Sequence, residues 1–153
     1  MAKNIIVSNR LPIQLTKLDN SFEFTPTSGG LATGMNSVHK GQNALWVGWP
    51  GIKSDEINNK TWAPLKKSLK KEGYFPVSLN HKEIEDFYYG LSNKSLWPLF
   101  HYFIEFSVFD EKHWKSYEEV NQKFVDSVLL NIEEGDTVWI HDYQLLLCPK
   151  MIK

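Results

Sequence analysis

Arg10 is the residue whose type and position most directly suggest a binding site. The chain has 17 basic residues, and Arg10 is the only arginine among them. It follows a short β-branched run, Ile5 to Val7, where a predicted strand opens into a loop. A guanidinium presents a planar fork of donors that matches phosphate oxygens, whereas a lysine acts as a point charge. Arg10 therefore predicts an anion site, with chance occurrence as the competing interpretation.

A glycine pair, Gly29 and Gly30, precedes a predicted helix over Leu31 to Val38. Glycine lets main-chain N–H groups approach a phosphate closely, and the positive end of a helix favours an anion. The spacing matches neither G-x-G-x-x-G nor G-x-x-x-x-G-K-[ST], which counts against standard dinucleotide and nucleoside triphosphate sites. A simple turn is the alternative interpretation, and it is the more common one.

Asp142 follows the apolar run Val138 to Ile140, so its carboxylate should lie at the exit of a strand. There it could accept hydrogen bonds from sugar hydroxyls, although capping of the next helix is an equally good interpretation. We leave His141 out of the site, because a histidine at a strand end is more often packed than catalytic.

Aromatic residues make up 14% of the chain, and several fall in or beside predicted loops. Sugars present flat C–H faces that pack on aromatic rings. The aromatic residues in such positions are Trp46, Trp49, Tyr88 and Trp97. By contrast, Trp62, Trp114 and Trp139 lie on periodic apolar faces and are assigned to packing.

Four predicted strands alternate with predicted helices, which indicates an α/β fold with a mainly parallel sheet and flanking helices. The strands are Asn4 to Val7, Ala44 to Trp49, Tyr74 to Leu79 and Thr137 to Ile140. The later helices are Thr61 to Glu72, Asn80 to Phe87 with Asn80 as its cap, Lys94 to Phe103, and Lys112 to Ile132. The last of these has a predicted apolar stripe and a predicted terminator at Gly135. The stripe consists of Trp114, Tyr117, Val120, Phe124, Val128 and Leu129. A small β-hairpin is predicted from Gln14 to Phe24, turning at Asp19 and Asn20. Because ligands collect beyond the carboxyl ends of parallel strands, Arg10 and Asp142 should share one crevice.

The overall composition excludes several classes of partner. A net charge of −1 gives no basic field of the kind that binds nucleic acid or an anionic membrane surface. One cysteine, Cys148, excludes an internal disulfide framework and a multi-cysteine zinc site, and it suits a reducing compartment. The apolar start of the chain is too short for a signal peptide or a membrane span, so we expect a cytoplasmic protein.

Five segments, in this order, resemble the trehalose-6-phosphate synthases. They are Ile5 to Pro12, Ser28 to Leu31, Trp46 to Gly51, Tyr88 to Tyr102 and Val138 to Gln144. The helix containing Tyr117-x-x-Val120-Asn121-x-x-Phe124 is also similar to the family's. The resemblance implies the GT-B arrangement of two Rossmann-like domains. Residues 1–153 would then form the first part of the N-terminal, acceptor-side domain, with the C-terminal donor-binding domain absent.

The resemblance also implies an activity, namely glucosyl transfer from a nucleotide-glucose such as UDP-glucose to glucose-6-phosphate. The resemblance further implies that the transfer retains the configuration of the glucose and that it requires neither a metal nor another cofactor. The implied site residues are Arg10 for the acceptor phosphate, Tyr88 and Asp142 completing the acceptor site with Trp49 nearby, Gly29 and Gly30 for the donor, and Trp97 for selection of the acceptor anomer.

Two further expectations concern the chain by itself. Because most of the family's catalytic residues would lie beyond Lys153, we expect the isolated chain to be inactive and to self-associate through exposed apolar surface. The alternative function is a sugar-phosphate-binding or regulatory module without catalysis. A dinucleotide-dependent oxidoreductase is disfavoured, because the glycine fingerprint is missing.

Overall fold

The structure, a computed structural model, describes residues 2–18, 22–27, 29–41 and 43–153. Within these residues the central sheet consists of β1 (Asn4–Arg10), β4 (Ala44–Trp49), β5 (Tyr74–Pro76) and β6 (Thr137–Ile140). The four strands are parallel and lie in the order β5-β4-β1-β6. This arrangement confirms the α/β fold with a parallel sheet that the alternating pattern predicted.

A separate antiparallel hairpin projects from the end of β1. It consists of β2 (Ile13–Lys17) and β3 (Phe22–Pro26), with Leu15 opposite Phe24. The predicted hairpin is therefore confirmed. Its predicted turn at Asp19 and Asn20 lies outside the described residues.

Strand β1 is buried on both faces, because it lies in the middle of the sheet and helices cover each side. Ile5 and Val7 belong to the larger core cluster, whereas Ile6 packs with Trp46 and Met35 in a smaller one. The strand runs three residues further than predicted and ends at Arg10, after a register irregularity against β4.

Three regular helices cover the sheet, and their ends follow ordinary capping rules. They are α1 (Gly30–Gly41), α2 (Asn59–Lys71) and α5 (Glu111–Leu129). The Asn58 and Asp110 side chains accept hydrogen bonds from main-chain N–H groups in the first turns of α2 and α5. After α2, Gly73 has a φ of 80°, a conformation that favours glycine.

The buried stripe of α5 is narrower than predicted. Tyr117, Val120, Phe124 and Val128 are all buried, which confirms the helical spacing. Trp114 and Leu129 remain 43% and 49% exposed, so their assignment to this stripe was wrong. The helix also ends at Leu129 rather than Ile132, and the predicted terminator Gly135 lies in the turn before β6.

A continuous helical segment replaces the two separate helices predicted between Asn80 and Phe103. It consists of α3 (His81–Glu83), a π-helix (Ile84–Leu96) and α4 (Trp97–Phe100). Asn80 and Glu83 form the expected cap, each accepting the other's main-chain N–H. The prediction of a break after Phe87 was wrong, because i→i+5 hydrogen bonding carries the chain onwards.

The remaining elements are short. There are 3₁₀ turns at Ser54–Glu56, Ile104–Phe106 and Tyr143–Leu145, and a last helix α6 (Cys148–Ile152). Cys148 is buried, as expected of a small apolar side chain. Trp139 is 47% exposed on the edge strand β6, so assigning it to core packing was wrong. None of the helices in the described ranges combines the length and apolar character needed to cross a bilayer.

Candidate functional site

A cleft of about 550 Å³ opens at the carboxyl ends of β1 and β6. This cleft is lined by four of the seven residues that the sequence predicts for the site. The four residues come from different parts of the chain. They are Arg10, Gly29, Tyr88 and Asp142. The topology thus brings together side chains more than 130 residues apart, as parallel strands ending at one edge should do.

The guanidinium of Arg10 is held in place by two neighbours. Its carbon lies 4.8 Å from the ring centroid of Trp49, a cation–π contact. Trp49 is itself fixed, because its indole Nε1 donates to the carbonyl of Ile52 over 2.8 Å. Gly51 has a φ of 87°, and a Cβ there would lie only 2.7 Å from Arg10 Nη2. Trp49 thus supports the Arg10 side chain through this contact, but it does not itself line the cleft.

Arg10 also has the electrostatics of an anion site. Its side chain is exposed at the cleft, and none of the ion pairs found among the described residues involves it. A guanidinium without a carboxylate partner keeps its donors available for an incoming phosphate.

Asp142 lies at the mouth of the cleft in an unusual main-chain conformation. Its φ is 75°, which is uncommon for any residue except glycine. Its carboxylate Oδ1 accepts a hydrogen bond from the N–H of Tyr143 over 2.8 Å. Asp142 therefore does cap the short helix that follows, and it lines the cleft at the same time.

The remaining predicted residues occupy less direct positions. Tyr88 lines the cleft from the π-helix. Trp97 is 48% exposed, contacts the rings of His101 and Tyr143, and is not among the residues that line the cleft. Gly30 begins α1 without lining the cleft either. A Cβ at Gly29 or Gly30 would meet no atom within 4 Å, so packing against the described residues does not require glycine at either position.

Comparison with known proteins decides the family. Residues 2–153 match the model of glycosyltransferase family 20. The chain belongs to glycosyltransferase family 20. It is 41% identical over 151 residues to an α,α-trehalose-phosphate synthase (UDP-forming) of Botryotinia fuckeliana, covering 97% of this chain and 28% of that protein. The family resemblance seen in the sequence is thereby confirmed.

Solved structures of trehalose-phosphate synthases are similar to this family 20 chain. One, from Burkholderia xenovorans, is in complex with glucose-6-phosphate and matches with a TM-score of 0.70 and 25% identity, covering 97% of this chain and 30% of that one. Another, from E. coli, is bound with UDP-2-fluoro glucose and matches with a TM-score of 0.74 and 26% identity, covering 99% and 30%. The chain thus spans less than a third of the length of these proteins.

Sequence reasoning did not foresee the contacts between the residues that form the floor of the family 20 cleft. The Ser8 hydroxyl accepts a hydrogen bond from the Trp46 indole over 2.8 Å and donates to the carbonyl of Arg10 over 2.7 Å. Trp46, which we had placed beside a loop, is therefore buried in β4 and braces the end of β1. The position of Ser8 just after an apolar run was the available signal.

Two more residues of the cleft, Asn9 and Gln144, are buried polar side chains. Their carbonyl oxygens, Oδ1 and Oε1, have no hydrogen-bond partner among the described residues. Buried acceptors are usually paired, and an unpaired one is expected to be satisfied by water or a bound molecule. Asn9 and Gln144 therefore belong to the candidate site, although the sequence alone assigned neither of them a role.

His141 lies behind the cleft and does not line it. Burial lowers the pKa of its imidazole, an effect that Asp142 partly opposes. The ring packs on Trp139, with 5.1 Å between the centroids. Its Nε2 is buried and has no hydrogen-bond partner among the described residues, so leaving His141 out of the site stays a prediction. Within the described residues, no three His, Cys, Asp or Glu side chains are grouped as metal ligands would be.

Proposed function

We propose that this family 20 chain provides the acceptor side of a trehalose-6-phosphate synthase, which transfers glucose from UDP-glucose to glucose-6-phosphate. The observation that carries this proposal is the arrangement of Arg10. Its guanidinium rests on Trp49, has no carboxylate partner among the described residues, and faces a cleft that also contains Tyr88 and Asp142. A fixed cation beside hydroxyl-binding groups is what recognition of a sugar phosphate requires.

Each part of the proposed acceptor has a partner in this cleft. The phosphate would accept hydrogen bonds from Arg10, which has donors in the fork geometry that phosphate oxygens prefer. The sugar hydroxyls would bond to Tyr88 and Asp142. Trp97, which lies outside the cleft in this structure, is proposed to take part in selecting the acceptor anomer.

The donor side of the proposed site begins at α1. The first main-chain N–H groups of a helix are unpaired and carry partial positive charge, which suits a diphosphate. Gly29 and Gly30 leave open space there, so we propose that they allow the donor to approach. UDP-glucose is the proposed donor because a similar solved structure is bound with UDP-2-fluoro glucose.

The transfer reaction is proposed for a protein of the relatives' length. The matched segment makes up 28% of the Botryotinia protein, so most groups that stabilise the leaving diphosphate would come from outside residues 1–153. We place residues 1–153 in the first of two Rossmann-like domains. We propose the cytoplasm as the compartment of the protein.

The proposal is tested by calorimetric titration of this chain with glucose-6-phosphate, glucose and inorganic phosphate. We expect saturable binding of glucose-6-phosphate that is tighter than the binding of glucose or of inorganic phosphate. The reason is that the phosphate-binding and the sugar-binding groups of the cleft then both contribute. Equal affinity for glucose-6-phosphate and glucose would contradict a phosphate-binding role. A far-UV circular dichroism spectrum of the same sample establishes that the chain is folded.

A further inference from the structure

Helix α5 buries two polar side chains one turn apart, Tyr117 and Asn121. They are 1% and 0% exposed, in the middle of an apolar stripe. Burying polar groups among apolar ones is unfavourable unless each finds a hydrogen-bond partner. The partners of these two residues therefore indicate what the side chains are for.

The Tyr117 hydroxyl makes two hydrogen bonds, both to the main chain that follows β6. It donates to the carbonyl of Tyr143 over 2.7 Å and accepts from the N–H of Leu146 over 3.1 Å. Burial raises the pKa of this hydroxyl to about 12, so it keeps its proton at physiological pH. It thus ties together the two ends of the 3₁₀ turn Tyr143–Leu145.

The Asn121 side chain binds the same segment. Its Nδ2 donates to the carbonyl of Gln144 over 3.0 Å and to the carbonyl of Tyr117 over 2.9 Å. Its Oδ1 accepts from the N–H of Leu147 over 3.3 Å. Together the two side chains therefore bind four main-chain groups within residues 143–147.

This segment directly follows Asp142, whose φ is 75°. A non-glycine residue in this region is strained and keeps the conformation only when its surroundings enforce it. Among the described residues, the Asp142 carboxylate accepts a hydrogen bond from its neighbour Tyr143 alone, and that contact is too local to hold the segment against the rest of the fold. Before Asp142, the N–H of His141 donates to the carbonyl of Val7 over 2.9 Å. After it, the bonds to α5 hold the main chain, and the Tyr143 hydroxyl donates to Asn93 Oδ1 over 3.0 Å.

We propose that Tyr117 and Asn121 are positioning residues, which hold Asp142 at the mouth of the cleft so that its carboxylate faces the sugar of the acceptor. The inference rests on the proposed function, because it assigns Asp142 to acceptor binding. Neither side chain is among the residues that line the cleft. The Tyr117 ring also contacts Phe87, which precedes the cleft residue Tyr88, so the test must remove the hydroxyl and keep the ring.

Tyr117→Phe tests this inference, since it removes only the hydroxyl. We expect the affinity for glucose-6-phosphate to fall roughly fivefold, the fold-change that corresponds to one net hydrogen bond. The matched control is Tyr74→Phe, a hydroxyl removed from the opposite face of the sheet, which should leave the affinity unchanged. In an Asp142→Gly background, Tyr117→Phe should cause no further loss, because the carboxylate that it positions is gone.

Amide hydrogen exchange adds a measurement that needs no ligand. The Leu146 amide should exchange faster in Tyr117→Phe than in the wild-type chain, because its acceptor is missing. Unchanged exchange at Leu146, or an equal loss of affinity in the Asp142→Gly background, would overturn the inference. So would unchanged affinity in Tyr117→Phe while the wild-type chain binds. If the wild-type chain itself binds no glucose-6-phosphate, the proposed function fails instead.

Discussion

The proposed anion site depends on Arg10 and on the contacts that immobilise its side chain. A freely rotating arginine loses conformational entropy when it binds, whereas one already stacked on an aromatic ring loses less. The contact with Trp49 contributes roughly 0.5–1 kcal/mol at an exposed site and, in this chain, orients the guanidinium across the cleft. The Arg10 side chain is thus preorganised for the proposed phosphate in the absence of ligand.

Gly51→Ala should weaken binding of glucose-6-phosphate through Arg10. The new Cβ would lie 2.7 Å from Arg10 Nη2, so the guanidinium must move. The matched control is Gly135→Ala, which has a similar positive φ of 89° but no atom within 4 Å of the new Cβ. Both variants should lower the melting temperature, because alanine is strained at positive φ. Equal affinity in the two variants would show that Gly51 does not position Arg10.

At this scale, the sequence revealed the charged groups but not the buried polar ones. Arg10 stood out by its rarity, and Asp142 by following an apolar run. The sequence marked the strand exit at Ser8 to Arg10, but it did not show that Ser8, Asn9 and Gln144 are buried, because their burial depends on an irregular register at the end of β1 and on the turn after β6. Periodicity does not encode either feature.

Among the elements, the π-helix is the one whose geometry departs most from sequence expectation. Apolar spacing was interpreted with the period of an α-helix, which cannot reveal i→i+5 bonding. The structure supplies a packing reason for the wider helix around residue 90, where the ring of His113 fits against Gly90. A Cβ at Gly90 would lie 2.8 Å from that ring.

Gly90→Ala should therefore destabilise the chain by about 1–3 kcal/mol, the usual effect of overpacking a filled contact. Gly34→Ala is the matched control, because it lies in α1 with no atom within 4 Å of the new Cβ. That control should stabilise the chain by roughly 0.5–1 kcal/mol, as alanine favours helix more than glycine does. Urea unfolding of the two variants measures both effects, and equal midpoints would argue against the contact with His113.

The start of β1 and the turn before β6 are joined by Asp136. Its carboxylate accepts hydrogen bonds from the main-chain N–H groups of Lys3 and Glu133 and pairs with the Lys3 ammonium. These contacts, with the main-chain bond from Lys3 as the largest cause, lower the pKa of Asp136 from 3.8 to about 2. A lowered carboxyl pKa stabilises the fold above the unfolded value and ceases to do so as the carboxyl protonates.

Asp136→Asn should accordingly reduce the free energy of unfolding at neutral pH. It should also make that free energy less dependent on pH in the acid range. In the wild-type chain, the contribution of Asp136 is complete above about pH 4 and is lost as the pH falls towards 2. The free energies of unfolding of the two chains should therefore converge at low pH. Parallel curves for wild type and variant between pH 2 and 5 would contradict this role.

On the scale of the whole molecule, one segment exposes many large apolar side chains. The segment begins at the end of α4, and Tyr102 within it is 95% exposed. The exposed apolar residues of this segment are Phe100, Tyr102, Phe103, Ile104, Phe106, Val108 and Phe109. Large exposed apolar surfaces are uncommon on monomeric proteins.

We expect the chain to self-associate reversibly through this surface, as exposed apolar surface favours association. Phe106→Ser should shift the weight-average mass in sedimentation equilibrium towards the monomer. Leu130→Ser is the control, since Leu130 is an apolar residue beyond the end of α5 that is 84% exposed, against 67% for Phe106. A wild-type chain that stays monomeric at high concentration would contradict the expectation.

The architecture was predictable because its signals are repeated along the chain. A helical pattern follows each of the four apolar runs, after the hairpin in the case of β1, so an error of a few residues at one boundary left the α/β assignment intact. The shape of the cleft was not predictable in the same way. It depends on the hairpin, the π-helix and the turn after β6 meeting in space, and no local pattern specifies that.

The most direct test of the central claim measures how strongly the chain prefers glucose-6-phosphate over glucose, in the wild type, Arg10→Lys and Arg10→Ala. We predict a clear preference in the wild type, a weaker one in Arg10→Lys, where the charge remains but the fork is lost, and none in Arg10→Ala. The loss should be at least about tenfold, as expected for charge-assisted hydrogen bonds. A phosphate preference that persists unchanged in Arg10→Ala would contradict the account.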